Sequence, residues 1–151
     1  MALMTSTLAE KLNHLLADHE EKRVVVVGTT CTGKSTLLPN ISNAFDMDDL
    51  LFPQLSKSET DYVCQTPWTE EIGRTMVHLA KERVKVKPGS PVFGTVILDC
   101  DLIIFLVISD ELLKERCVSR RVSFRDAKNM QKQIENEIEN SGLAKIDFSV
   151  G

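Results

Sequence analysis

A glycine-rich segment with one lysine and one serine has the residue types that bind phosphate groups. It runs over residues 28–35 and reads GTTCTGKS, which fits the pattern G-x-x-x-x-G-K-[S/T] at every fixed position. The two glycines let the backbone turn tightly, so that successive N–H groups point into one cavity of phosphate size. Lys34 places a positive charge beside the β and γ phosphates of a nucleoside triphosphate, and the Ser35 hydroxyl is a ligand for a bridging magnesium ion.

This pattern is the Walker A motif, or P-loop, and the residues around it support the assignment. Four valines at 24–27 predict a buried strand before the loop, and a helix is predicted from Gly33 to about Asn40. A helix that begins there directs the positive end of its dipole at bound phosphates. The sequence therefore predicts binding of a nucleoside triphosphate with magnesium. The predicted nucleotide-binding residues of the loop are Gly28, Thr29, Thr30, Cys31, Thr32, Gly33, Lys34, Ser35 and Thr36.

The rest of the chain predicts strands that alternate with helices. The predicted helices cover residues 7–22, 33–40, 69–83, 110–121 and 125–140, and the predicted strands cover 23–27, 43–46, 84–87, 102–108 and 145–150. Ser123 is the predicted cap of the last helix, and the sequence Asn-Ser-Gly at 140–142 is predicted to end it. For the third strand, residues 92–98 are an alternative to the preferred 84–87. Residues 48–67 contain prolines and little periodicity, which predicts a mobile or irregular excursion on the substrate side.

Alternation of this kind favours one three-layer α/β/α domain over residues 1–151, with a parallel five-stranded sheet. In such folds the ligand binds at the carboxyl ends of the strands.

Composition limits the expected partners. The net charge is −4, the pI is near 5.4, and no run of lysine or arginine exceeds two residues, which argues against a nucleic-acid partner. The longest apolar run, residues 102–108, is about a third of the roughly 20 residues that a membrane span needs. We therefore expect no membrane partner and a cytoplasmic location. The four cysteines form no C-x-x-C pair, which predicts free thiols.

The segment ELLKERCVSRRV, residues 111–122, is similar to the part of adenylate kinases that leads from the fourth strand into the lid. The resemblance implies the P-loop fold of the adenylate kinase and shikimate kinase group, ATP as the phosphoryl donor, and a short lid at about residues 117–127. In that group the first arginine of R-x-x-x-R stacks on adenine and the second reaches the transferring phosphates. The matching positions are Arg116 and Arg120.

The segment AFDMDDLLFP, residues 44–53, resembles shikimate kinases, which place D-x-D at the end of the second strand. The resemblance implies that Asp46 and Asp48 lie near magnesium or the acceptor hydroxyl. A hydroxyl needs a positioned carboxylate to accept its proton, whereas a nucleoside monophosphate is already anionic. Shikimate kinases have a Gly-Phe-Arg in the equivalent helix, whose arginine binds the substrate carboxylate. Gly73 and Arg74 resemble this motif loosely, which implies that Arg74 is an anion-binding residue; a surface arginine is the alternative. Asp99 in VILDC resembles a Walker B acid.

Two family features are missing from the sequence. These are the glycine run after the third strand of shikimate kinases and the Gly-Phe-Pro-Arg motif of adenylate kinases. The sequence therefore predicts an ATP- and magnesium-dependent phosphotransferase that acts on a small molecule other than shikimate, through a hydroxyl group. The alternatives are a nucleoside monophosphate kinase and an ATP-binding module without catalysis.

Overall fold

The four consecutive valines form the central strand of a parallel sheet. The computed structural model describes residues 2–65 and 69–151. The strands are β1 (Val24–Val27), β2 (Phe45–Asp46), β3 (Val92–Gly94), β4 (Leu102–Val107) and β5 (Ala144–Ser149). They lie in the order β2-β3-β1-β4-β5, and all neighbouring pairs are parallel. The predicted α/β class and five-stranded parallel sheet are therefore confirmed.

Helices lie between most of the consecutive strands, and one precedes β1. They are α1 (Ala2–Ala17), α2 (Lys34–Leu37), α3 (Met47–Leu51), α4 (Lys57–Val63), α5 (Glu70–Arg83), α6 (Asp110–Arg120) and α7 (Phe124–Ser141), with short 3-10 turns at 38–40 and 52–54. Helix α1 begins and ends earlier than the predicted 7–22. Among the described residues, no helix is both long enough and apolar enough to cross a membrane.

Alternate residues of the central strands enter two separate hydrophobic cores. Val25 and Val27 of β1 pack in one core with side chains from α3, α4, α5 and α7. Val24 and Val26 pack in the other core with side chains from α1, α2 and α6. This alternation is what a strand buried on both faces requires. Helices therefore cover both faces of the sheet, an arrangement consistent with a three-layer α/β/α fold.

The preferred third strand was wrong, and the alternative segment provides the strand. Strand β3 comprises Val92–Gly94 and lies between β1 and β2. Residues 84–87 instead connect α5 to β3, with Val84 and Val86 buried in the core and Lys87 in an isolated bridge to Ser90. The alternating valines there are buried in the core without joining the sheet. Their spacing is also typical of a strand, which is why the sequence pattern predicted one.

The predicted irregular excursion at 48–67 is also corrected, because it is largely helical. Helix α4 begins with a capping box, in which Ser56 and Glu59 exchange side-chain and backbone hydrogen bonds. The Glu59 carboxylate also accepts two hydrogen bonds from Arg83 of α5, at 2.6 and 2.7 Å, and these lower the pKa of Glu59 to about 2. Local capping and this ion pair order the segment. Its last two residues, 66 and 67, lie outside the described residues.

The predicted short lid at 117–127 is a helix–turn–helix. Helix α6 ends at Arg120, Arg121 adopts the left-handed conformation with φ 56°, and Ser123 caps α7 by accepting a hydrogen bond from the Asp126 N–H. Ser123 was predicted as this cap, and the left-handed Gly142 ends α7 as its position predicts. The turn thus joins α6, which packs in the core of Val24 and Val26, to α7, which contributes Ile134 and Ile138 to the core of Val25 and Val27.

Candidate functional site

The loop at residues 28–35, hereafter the 28–35 loop, leaves the carboxyl end of β1, and its two fixed glycines are sterically required. A Cβ atom on Gly28 would lie 2.9 Å from Thr32 Oγ1 and 3.1 Å from Leu106 Cβ, closer than side chains tolerate. Gly33 has φ +99°, a left-handed conformation that glycine adopts without strain. The chain therefore turns back above the sheet at these two points, as the pattern predicts.

Two buried threonines fix the shape of the 28–35 loop. Thr29 Oγ1 donates a hydrogen bond of 2.5 Å to the Ala127 carbonyl of α7, and Thr32 Oγ1 donates one of 2.8 Å to the Thr29 carbonyl. Cys31 adopts the left-handed conformation with φ 67° and is buried. These contacts anchor the loop to α7 and orient its backbone before any ligand binds.

The Lys34 ammonium group lies inside the 28–35 loop. Its Nζ donates hydrogen bonds to the carbonyl oxygens of Gly28, at 2.5 Å, and Thr29, at 2.8 Å. Burial lowers the pKa of Lys34 to about 8, and the negative charge of Asp46 partly opposes this shift. At pH 7 the group is therefore still mainly charged, and its hydrogen bonds hold it beside the carbonyls of Gly28 and Thr29.

The two predicted acids lie at the junction of β2 and α3. Asp46 caps α3, because its Oδ1 accepts a hydrogen bond of 2.8 Å from the Asp48 N–H. The Asp48 carboxyl group remains accessible to solvent, and partial desolvation raises its pKa, with the charges of Asp46 and Asp49 adding to the effect. Asp48 is thus a carboxylate with a strengthened affinity for a proton.

A cavity of about 250 Å³, hereafter the acid-side cavity, brings most of the predicted site together. Ser35, Lys34, Asp46, Asp48 and Arg120 line it, so the sequence prediction of a shared location is supported by the geometry. The predicted Thr30, Cys31 and Gly33 also line it, together with Met47, Phe93, Gly94, Thr95 and Met130.

Sequence reasoning missed the contribution of β3 to this cavity. Thr95 follows β3 directly, and Phe93 and Gly94 belong to it. The signal was present, because 92–98 was the alternative third strand, and the residues after a parallel strand lie at the ligand-binding edge. A third strand at 84–87 would not place Thr95 at that edge.

A second cavity, of about 300 Å³ and hereafter the helix-side cavity, adjoins the other side of the 28–35 loop. Arg116 lines it, and its guanidinium donates a hydrogen bond of 2.8 Å to the Thr32 carbonyl. Arg120, Cys31 and Gly33 line both cavities, so the two cavities flank the same part of the loop. Its remaining lining residues are Leu8, Thr32, Thr36, Leu37, Ser119 and Val150.

Arg74, a predicted site residue, and Asp99, which only resembles a Walker B acid, lie away from both cavities. The Arg74 side chain is 73 % exposed and lies 3.8 Å from Glu70 on the same helix, so the structure does not place it as an anion-binding residue of this site. Asp99 pairs with Arg23 at 3.0 Å, and Arg23 also binds Asp101, which precedes β4. Asp99 therefore lies at the amino ends of the strands, opposite the expected ligand edge.

The donor set around Lys34 suits a magnesium ion that is shared with a phosphate ligand. In the described residues, no group of three or more His, Cys, Asp or Glu side chains is arranged to hold a metal on its own. Ser35 and Asp46 supply two hard oxygen donors to the acid-side cavity. Magnesium is commonly held by one or two such groups together with substrate phosphates and water. The residues present therefore fit this ion once a phosphate is bound.

No model of a known protein family matches the chain, and no curated protein matches it. The interpretation of the site therefore depends on the sequence pattern and on the geometry described above.

Proposed function

We propose that the protein is an ATP-dependent phosphotransferase with a P-loop fold, which transfers the γ-phosphoryl group to a hydroxyl of a small molecule. The observation that supports this most is the convergence of Lys34, Ser35, Asp46, Asp48 and Arg120 on the acid-side cavity. These side chains supply a phosphate-binding cation, a magnesium ligand set, a proton acceptor and a second cation. Phosphoryl transfer depends on this combination of positioning and charge.

The two cavities suggest how the nucleotide lies. The triphosphate occupies the 28–35 loop, and Lys34 exchanges its bonds to the Gly28 and Thr29 carbonyls for bonds to phosphate oxygens. The base extends into the helix-side cavity, where Arg116 is held beside the loop. A guanidinium plane stacks well on an aromatic base. Arg120, which lines both cavities, then lies between the nucleotide base and the γ-phosphoryl group that is transferred.

Ser35 and Asp46 would hold the magnesium ion, which neutralises charge on the phosphates when it is bound.

In the transfer step, the acceptor hydroxyl oxygen forms a bond to the γ-phosphorus. The bond from that phosphorus to the β–γ bridging oxygen breaks, and its electron pair leaves with ADP. The hydroxyl proton passes to the Asp48 carboxylate, whose raised pKa favours protonation.

The test of this proposal is the transfer of label from γ-labelled ATP to organic products. The protein, with magnesium, is incubated with a pooled extract of small metabolites, and the products are separated from inorganic phosphate. A labelled organic phosphate other than ADP or ATP is the expected result. A labelled nucleoside diphosphate would identify a nucleoside monophosphate kinase instead. Tight ATP binding with no transfer would indicate a binding module and would overturn the proposal.

The ATP affinity is expected to depend on pH through Lys34. Phosphates favour the charged ammonium, and the free group loses its proton as the pH rises through about 8. Between pH 7 and pH 9 the charged fraction falls about tenfold, so the Kd for MgATP should rise about tenfold. Isothermal titration at several pH values measures this. The Lys34→Ala variant serves as the control, since its weaker binding should not change over the same range. A constant wild-type Kd would contradict the assigned contact.

A further inference from the structure

Positive charges are distributed unevenly around the acid-side cavity. All 18 lysine and arginine residues of the chain lie in the described residues, and two of them, Lys34 and Arg120, line this cavity. Lys34 follows β1, and Arg120 ends the helix after β4. Strand β2 lies on the other side of β1 from β4. Both cations therefore lie on the side that the proposed function assigns to the triphosphate.

The opposite side of the cavity carries negative charge and apolar surface. Asp46 and Asp48 come from the junction of β2 and α3, and Thr95 comes from the end of β3. Met47 and Phe93 also line this side, although Met47 packs in the core of Val25 and Val27 and Phe93 in that of Val24 and Val26, so that little of either residue is exposed. A ligand portion in contact with this wall meets two carboxylates, one hydroxyl and apolar groups, and it meets no cation of the protein.

The cations of α5 and of the connection from α5 to β3 do not line the cavity. Arg74 is exposed and lies near Glu70, and Arg83 donates two hydrogen bonds to Glu59. Lys81, Lys85 and Lys87 are exposed and do not line the cavity. An acceptor with a carboxylate or a phosphate would therefore find no fixed positive partner on this side.

We propose that the phosphoryl acceptor is a small hydroxyl compound without negative charge. This inference rests on the proposed function, because it assigns Lys34 and Arg120 to the triphosphate. An additional anion would lie beside the carboxylates of Asp46 and Asp48, where like charges repel each other. A neutral or cationic acceptor instead gains favourable contacts with the same carboxylates. Its hydroxyl faces Asp48.

The small volume supports the same assignment. The acid-side cavity encloses about 250 Å³, and it must hold both the transferring phosphoryl group and the acceptor. Pockets for drug-sized ligands are usually about 300–1,000 Å³. A nucleoside monophosphate is both anionic and large by this measure. The cavity therefore favours a compact acceptor over a nucleotide.

The experiment divides the acceptors by charge. A small-molecule extract is passed over an anion exchanger at pH 7, which gives an unretained pool of neutral and cationic compounds and a retained pool of anions. Each pool, and adenosine monophosphate alone as a defined anion, is incubated with the full chain, magnesium and γ-labelled ATP. Labelled organic phosphates are then measured. We expect product from the unretained pool at a rate at least tenfold above that from the retained pool.

The outcomes separate this inference from the function on which it rests. Product formed mainly from the retained pool would establish a phosphotransferase and would overturn the charge assignment. Labelled adenosine diphosphate from adenosine monophosphate would do the same. Transfer in neither pool would overturn the proposed function and this inference with it. Product confined to the unretained pool supports both.

Discussion

Replacing Lys34 with alanine is expected to lower the rate of phosphoryl transfer by about 10²–10³-fold and to weaken MgATP binding. The Lys34 ammonium is held inside the 28–35 loop by the carbonyls of Gly28 and Thr29, so it is already positioned where a triphosphate would bind. Removal of a positioned charge acts on the transition state more than on the ground state, because charge develops on the transferring oxygens. Steady-state rates with labelled ATP and titration calorimetry measure the two effects separately.

The same variant is expected to fold normally. The pKa of Lys34 is lower in the folded protein than its ordinary value of 10.5, so burial of the charged ammonium disfavours folding at pH 7. Between about pH 8 and 10.5 the unfolded chain binds more protons at this group, and the contribution of Lys34 to wild-type stability therefore rises with pH. Alanine removes this pH dependence. Thermal melts of wild type and variant at pH 7 and pH 9 test this: the melting temperature of the wild type relative to that of the variant should be higher at pH 9 than at pH 7.

Lys114→Ala provides a matched control, because Lys114 is an exposed lysine on α6 that lines neither cavity. It removes the same charge from the chain and should leave transfer and binding unchanged. If Lys114→Ala and Lys34→Ala gave equal losses, the effect would come from net charge and not from the 28–35 loop. If Lys34→Ala transferred phosphate at the wild-type rate, the loop would not be the donor site.

The features that could be predicted from the sequence are those that depend on local chemistry. Gly28 must lack a side chain because Thr32 and Leu106 approach it, and Gly33 must adopt a positive φ; a fixed pattern of residues encodes both needs. Capping by Ser123 and the end of α7 at Gly142 are likewise local, and both predictions are confirmed. The location of Lys34, Ser35 and the acids at one edge followed from the parallel topology, since carboxyl ends of parallel strands meet there.

The errors arose where tertiary contacts determine the outcome. The choice of residues 84–87 over 92–98 failed because a buried connection can have the same alternating valines as a strand. Within 48–63, α4 begins with a local capping box, but it also pairs Glu59 with Arg83, which are 24 residues apart and cannot be paired from local periodicity. Arg74 illustrates the limit of a short resemblance, because a two-residue match did not specify the direction in which the side chain points.

Replacing Asp48 with asparagine is expected to lower the transfer rate by about 10²–10⁴-fold, with little change in the Kd for MgATP. Asparagine has nearly the same shape and remains accessible in the acid-side cavity, but it cannot accept the hydroxyl proton. The raised pKa of Asp48 is the property that suits this role, because a carboxylate with a higher pKa is a stronger base. Single-turnover transfer with a saturating acceptor from the unretained pool measures the chemical step directly.

Two further variants separate the proton-accepting role from the alternatives. Asp49→Asn removes a neighbouring exposed carboxylate that does not line the cavity, so transfer should remain near the wild-type rate. Asp46→Asn removes the proposed magnesium ligand, and its loss of rate should be partly restored by a higher magnesium concentration, since a weakened site fills by mass action. Asp48→Asn should not respond to magnesium. If magnesium rescued Asp48→Asn but not Asp46→Asn, the two acids would exchange roles, and Asp46 would be the group that accepts the proton.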